Sequence, residues 1–385
     1  MEKKVVKNIN YKTDHSKQMA NNRALQKNPN DECYTPMKDI ADELSHWGDK
    51  LTGKRIICPC DWDILEGEDV YSMTVEFSDK KEDDFFSPTY FVNKVEKISY
   101  SLFEDPLQSF EITQPEAEEF WKNRITCNFF RYLIKAGEQY GAKSVTASGY
   151  DPITEKGYSC LDIDYSNYDL VITNPPFSLL LTKFLPVLLK EFDKRKESEN
   201  KFNFIIISPF MSLSSPLVVT RFIKRDLFLG YRRHQPVSFL NSQKSLGIAI
   251  NWLTTFSDAQ DEMDSKPMEK TNIKFEDYKD EYEVMENYKM KDGTIVYKMR
   301  LKTLPDDYYG WAFVPIGIFD KLNWNEFEFY PTNVSDKALE NKYGIKCPWI
   351  DMPNVNHRTH IKKDGTVKNE FARILVRRKK EGKNV

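Results

Sequence analysis

The sequence is short of several features that would direct a reading elsewhere. No uninterrupted apolar run reaches the ~20 residues of a bilayer-spanning helix, so no membrane segment is expected. Met1-Glu2-Lys3-Lys4-Val5 opens the chain without the apolar stretch of a secretory leader, and the expected location is the cytoplasm. Six cysteines are scattered over 385 residues, the tightest group being Cys58-Pro59-Cys60, and none of the five histidines is close to them in sequence. That spacing fits reduced thiols better than a zinc site or a disulfide framework, so no metal is expected. A marked excess of either charge is also missing, the net charge being −3. The balance hides segregation. Residues 63–120 hold 16 Asp/Glu against 4 Lys, while residues 356–385 hold 10 Lys/Arg against 3 acids. A basic tail with the acids gathered elsewhere is compatible with phosphate binding on one face.

What is present centres on residues 168–179. Leu170-Val171-Ile172 is a short apolar run of the kind buried in parallel sheets. Asn174-Pro175-Pro176-Phe177 ends it, because neither proline can donate to a strand ladder. A helix resumes near Ser178, which is placed to cap Leu179-Leu180-Leu181. Such a segment suits the holding of an exocyclic amine on a flat ring. The Asn174 side-chain oxygen and the Pro175 carbonyl are two stiffly held acceptors, and Phe177 offers a stacking face. The plainer reading is a proline-rich turn before a helix.

Around this stretch, helical periodicity marks 39–47 (Ile40, Leu44, Trp47), 128–140 with Gly141 as terminator, and 179–192. Apolar strands are expected at 54–57, 143–147, 202–207, 227–231 and 247–256. The order of elements predicts a doubly wound, Rossmann-like α/β sheet. Its ligand then lies beyond the carboxyl ends of the strands. Alternation at 70–77 and 90–100 predicts a small β-rich subdomain within the acidic stretch. The expected organisation is a mobile arm (1–30), a catalytic domain (31–62 with 121–256), an acidic insertion (63–120) and a C-terminal recognition region (257–385). Residues 257–286 are polar and poor in order signals.

The loop after the first strand, Cys58-Pro59-Cys60-Asp61, lacks the glycines usual at a nucleotide-type site. Together with Asn30-Asp31-Glu32-Cys33-Tyr34-Thr35-Pro36 and Asn174-Pro175-Pro176-Phe177, it resembles the EcoRI modification methylase family of DNA adenine methyltransferases. Lys302-Thr303-Leu304-Pro305 with Gly310, Val314-Pro315-Ile316, and 371–377 extend the likeness over residues 21–380, the acidic stretch excepted. The resemblance implies a methyltransferase fold and S-adenosylmethionine as cofactor. It also implies methylation of adenine N6 in double-stranded DNA after base flipping, as in restriction-modification. By the same resemblance Asn174, Pro175, Pro176 and Phe177 are catalytic. Tyr34, Thr35, Pro36, Pro59, Cys60, Asp61, Asp164, Tyr165 and Asn174 contact the cofactor, with Asp162 the rival to Asp164. No acid ends the second strand, where Ala147-Ser148-Gly149-Tyr150 stands in place of a ribose-binding carboxylate. Arg232, Arg233, Lys362, Lys363, Arg377 and Arg378 are the expected phosphate contacts. A cognate restriction endonuclease and a monomeric state are further expectations. Methylation of RNA adenine or protein glutamine, or DNA binding by a chain whose catalytic site has decayed, are the alternatives.

Overall fold

The computed structural model describes residues 35–60, 70–77, 88–95, 107–112, 127–151, 156–240, 245–286, 288–332, 334–351, 359–361, 367–369 and 372–380. They fall into two compact units, the first reaching Pro209 and taking in Gly230–Thr254, the second made of Phe210–Leu229 and the chain from Thr255 onward. Among the described residues, no helix is long and apolar enough to cross a membrane.

In the first unit, helix α1 (Met37–Leu44) runs into a 3-10 turn (Ser45–Leu51), and Ile40, Leu44 and Trp47 are all buried, as their spacing requires. Strand β1 (Arg55–Cys58) follows. Helix α2 (Asn128–Tyr140) starts where the Cys127 sulfur accepts the Phe130 N–H at 3.5 Å. It stops at Gly141, whose φ of 69° is a conformation that costs glycine little. The remaining elements are β2 (Val70–Phe77), β3 (Pro88–Val95), β4 (Leu107–Ile112), β5 (Ser144–Ser148), β6 (Leu170–Thr173), α3 (Leu185–Arg195), β7 (Asn203–Pro209), β8 (Gln235–Leu240) and β9 (Ser245–Thr254).

The sheet order is β9-β7-β6-β1-β5-β2-β3-β4, with β8 paired to β9. Strands β5, β1, β6 and β7 are parallel, so their carboxyl ends share one edge. The chain moves from β1 through α2 to β5 in one direction, and from β6 through α3 to β7 in the other. Right-handed crossovers in opposite directions put α2 and α3 on opposite faces. The order therefore reverses between β1 and β6, and the crevice at such a switch point is where an open α/β sheet binds its ligand. The sheet is mixed, with a parallel centre of four strands, and is consistent with a Rossmann-like methyltransferase fold.

Where the sequence predicted a separate β-rich subdomain, the acidic stretch extends this sheet. Strand β2 runs antiparallel beside β5, pairing Ser72 with Ser148 and Thr74 with Thr146, and β3 and β4 follow outward. The Thr74 and Thr146 hydroxyls lie 3.0 Å apart across the pair. Periodicity marks strands but not their partners, so alternation alone could not place β2 on β5. At the opposite edge of the strands, Asp169 ties three elements together. Its carboxylate takes Arg55 N, Nε and Nη2 at 3.0, 3.1 and 3.0 Å and Arg195 Nη2 at 3.2 Å. Burial works against ionisation of Asp169, but the Arg55 hydrogen bonds outweigh it and hold the carboxyl below its usual range.

The second unit holds α4 (Pro216–Ile223), α5 (Asp258–Asp264), α6 (Asp336–Tyr343) and a sheet of β10 (Glu283–Val284), β11 (Tyr297–Lys298), β12 (Ala312–Pro315), β13 (Phe327–Tyr330) and β14 (Arg373–Arg378), in the order β10-β11-β12-β14-β13. The two distant motifs at 314–316 and 371–377 meet here, Val314 standing opposite Ile374 on adjacent strands. Order in 257–286 exceeds expectation. Helix α5 is held by polar contacts that hydropathy does not register: Asp264 accepts from Arg225 Nη1 at 2.7 Å and from Trp324 N at 2.7 Å, and Gln260 is fully buried.

Candidate active site

The parallel register brings the ends of β1, β5, β6 and β7 to one edge of the first unit. Pro59 and Cys60 form the turn after β1, Ser148 ends β5, Asn174 follows β6, and Ser208-Pro209 closes β7. Helix α2 runs antiparallel to β5, so its first residue is also at this edge; there Asn128 Nδ2 donates to the Thr35 carbonyl at 3.0 Å. Thr35, Pro59, Cys60 and Asn174 to Phe177 are thus brought to the same side of the sheet.

The central tetrapeptide behaves as two prolines after a strand should. The ladder stops at Thr173, and the Pro176 carbonyl accepts the N–H groups of Leu179 and Leu180 at 3.0 and 3.1 Å. The helix begins one residue earlier than predicted, at Phe177, with Pro176 in the capping position in place of Ser178. Its next turn, Leu180–Phe184, is a π-helix, a widening found often beside functional sites. Pro175 is buried and Phe177 partly exposed. Asn174 is partly exposed, but its Oδ1 is turned away from solvent. A half-turn of the side-chain amide exchanges the places of its oxygen and nitrogen.

Three hydroxyls at this edge, Thr35 Oγ1, Ser148 Oγ and Thr173 Oγ1, are buried and have no hydrogen-bond partner among the described residues. Buried polar groups are seldom left so, and each is a donor suited to an oxygen-rich or nitrogen-rich ligand. Thr35 is one of the expected cofactor contacts; sequence reasoning passed over Ser148 and Thr173 because Ser and Thr are common, although Ser148 stands where an acid is missing. Behind Cys60 lies Cys160. A side-chain hydrogen bond from Cys60 pulls the Cys160 thiol below its ordinary pKa, with Asp162 near enough to push the other way. Asp162 is exposed.

Asp164 and Tyr165 lie in the segment that leads into β6. Asp164 is exposed, caps the 3-10 turn Tyr165–Asn167 through Ser166 N at 3.1 Å, and feels the charge of Lys194 near the C-terminal end of α3. That is the side on which the parallel strands begin. Tyr165 is buried, donates its hydroxyl to the Cys160 carbonyl at 2.6 Å and meets Phe202 edge-on at 6.0 Å. Burial raises its pKa well above the ordinary value. Tyr165 also lies within electrostatic reach of Cys60, and Asp162 within reach of Cys160.

The expected phosphate contacts also separate. Arg232 is exposed and Arg233 partly exposed, in the loop before β8. Arg377 and Arg378 have their charges committed inside the second unit. Arg377 bonds Asp292 and Glu328 at 2.6 and 2.8 Å and lies 4.2 Å over the Trp311 ring, while Arg378 bonds Glu326 at 2.9 Å and lies 4.6 Å over Phe327. A phosphate would have to break those pairs. Tyr34, Asp61, Lys362 and Lys363 lie outside the described residues. Among the described residues, no group of three or more His, Cys, Asp or Glu could hold a metal ion.

No protein-family model matches the chain. It is similar to the type II methyltransferase M.EcoRI of Escherichia coli, 23% identical over 366 residues that take in 86% of this chain and 95% of that protein. The likeness spans most of this chain and nearly the whole of that protein, and supports a distant EcoRI-like methyltransferase relationship.

Proposed function

We propose, from that distant kinship and from the placement of Asn174-Pro175-Pro176-Phe177 at the switch point of the sheet, that the protein methylates adenine N6 in double-stranded DNA. The observation that carries the reading is the position of this tetrapeptide. Rigid carbonyl and amide groups and an aromatic ring stand at the end of β6, beside the turn after β1. S-adenosylmethionine would supply an electrophilic methyl group on a sulfonium. The buried hydroxyls of Thr35, Ser148 and Thr173 fit such a ligand, with Tyr34, Pro36, Pro59, Cys60, Asp61 and Asp162 completing its surroundings.

A paired adenine hides its amine, so the base must leave the stack at a cost of roughly a few kcal/mol. Stacking on Phe177 offsets part of this, since base–aromatic contacts are worth about 1–3 kcal/mol. The Asn174 oxygen, after its amide half-turn, and the Pro175 carbonyl accept the two N6 protons. The nitrogen lone pair is thereby drawn out of conjugation and becomes nucleophilic. Most of the remaining acceleration is orientation of the two reacting centres in line. Arg232 and Arg233 of the first unit, with Lys362 and Lys363, are the phosphate contacts this reading retains.

The test is transfer of tritiated methyl groups from S-adenosylmethionine to duplex DNA, RNA and protein by the wild type and Asn174→Ala. Labelling of DNA at N6-methyladenine is expected. The variant should lose activity by at least about a hundredfold while binding S-adenosylhomocysteine nearly normally. Turnover undiminished in Asn174→Ala would remove that residue from the chemistry, and label confined to RNA or protein would replace the substrate.

A further inference from the structure

Helix α1 carries a carboxylate that the methyl transfer does not use. Glu43 is fully buried, and its oxygens take Trp47 Nε1 at 2.8 Å, Tyr231 N at 3.1 Å and Arg232 N at 2.7 Å. Burial pushes its pKa up against these hydrogen bonds. A carboxylate taken out of water is costly unless donors surround it, and two of its three donors are consecutive amides of one loop. The rest of that helix face engages the same loop and the first residue of β8. Asp39 accepts from Gln235 Nε2 at 2.6 Å, Asp42 pairs with Arg232 at 3.5 Å, and His46 stacks on the Tyr231 ring at 4.2 Å. Positions 39, 42, 43 and 46 form one helical stripe.

Gly230 makes the approach possible. A Cβ there would stand 2.2 Å from Glu43 Oε1 and 2.8 Å from the Trp252 Cβ, so any side chain would drive the carboxylate away. At the far end of the loop His234 adopts a left-handed φ of 48°, its N–H held by Asn251 Oδ1 at 2.7 Å. Between these two fixed points Arg232 is exposed, with the 3.5 Å contact to Asp42 as its ion pair, and the partly exposed Arg233 folds its Nε back onto the Gly230 carbonyl at 3.3 Å.

We propose that Glu43 is a positioning residue. By gripping the Tyr231 and Arg232 amides from inside the fold, it sets the backbone from which Arg232 and Arg233 reach the phosphates of duplex DNA. The inference rests on the DNA reading above and adds to it the part that presents the arginines.

Binding of the full-length protein to a fluorescent DNA duplex over a range of salt concentrations tests this, together with steady-state methylation. Glu43→Gln keeps the shape and one acceptor oxygen but puts an amide donor in place of the other, so that either the Arg232 N–H or the Tyr231 and Trp47 N–H groups lose their acceptor. It should weaken DNA binding about tenfold and lower the slope of log K against log[salt] by about 1, the signature of one lost phosphate contact. The loss should fall on KM for DNA rather than on kcat, with S-adenosylhomocysteine affinity in the absence of DNA within about twofold of wild type. Arg232→Ala alters an exposed side chain, so folding is not at stake. It should reproduce the fall in slope, and the double variant should lose little more than either single one. Unchanged affinity and slope in Arg232→Ala would overturn the proposal however Glu43→Gln behaves. So would a Glu43→Gln defect confined to kcat, or two losses that simply add. A wild type that binds no duplex DNA would overturn the DNA reading itself. Normal wild-type binding with indifferent variants would refute only the role of Glu43.

Discussion

Single side chains at the candidate site differ in how far their chemistry could be anticipated. Asn174-Pro175-Pro176-Phe177 was legible because proline constrains the backbone wherever it stands. Tyr165 was not, since an aromatic next to an acid looks alike whether it faces a ligand or the core. Its buried hydroxyl on the Cys160 carbonyl gives a direct check. Tyr165→Phe should cost about 1 kcal/mol of stability in denaturant unfolding, the usual net worth of one such hydrogen bond. Calorimetric affinity for S-adenosylhomocysteine should stay within about twofold. A large loss of affinity at undiminished stability would return the residue to the cofactor. The buried acid Glu43 left no trace in the sequence, because a glutamate at position 43 of an amphipathic helix sits among residues that alternate between polar and apolar.

Elements were predicted well where a helix ends on glycine, as at Gly141, or where β-branched residues cluster, as in β6 and β7. Their pairing was not, and β2 shows why: side-chain alternation marks a strand, while its neighbour is chosen by contacts far away in sequence. Charge pairs that lock elements together are equally silent. The Arg55–Asp169–Arg195 group joins β1, β6 and α3 where the parallel strands begin. Asp169→Asn leaves the largely buried Arg195 guanidinium with only the more distant Glu191 carboxylate, at 3.8 Å, as counter-charge and should cost about 2 kcal/mol near neutral pH. Because the folded-state pKa of Asp169 lies below that of a free carboxyl, its stabilisation is present above the unfolded-state value and is lost as pH falls through the folded one. Urea midpoints measured from pH 7 down to 2 should therefore fall less steeply in the variant than in the wild type. Parallel curves would show that the carboxylate is not the titrating group.

At the scale of the whole molecule, the chain enters the second unit at Phe210, returns at Gly230 and leaves again at Thr255. A fragment of residues 1–254 would thus carry 210–229, whose Phe222 is fully buried among Phe319 and Trp324 of the later chain, without those partners. It is expected to aggregate. The return can be shortened, because Gly230 N–H bonds the Trp252 carbonyl and Trp252 pairs with Ile207. Gly230 is then about two strand spacings from Ile207, and with Pro209 two residues further along that strand the gap to Gly230 is roughly 12 Å. The same fragment with 210–229 replaced by a short Gly-Ser linker should be soluble and show an α/β circular dichroism spectrum. Aggregation of both fragments alike would show that the first unit depends on more than its own residues.

Strand β14 lies between β12 and β13, although it is made of residues 373–378 and its neighbours of residues 312–315 and 327–330. While a ribosome is making the protein, the outer members of that sheet emerge first and face a gap where the middle belongs. The second unit can only close once the late segment arrives, so a premature stop before codon 373 would leave two strand edges bare for other chains to join.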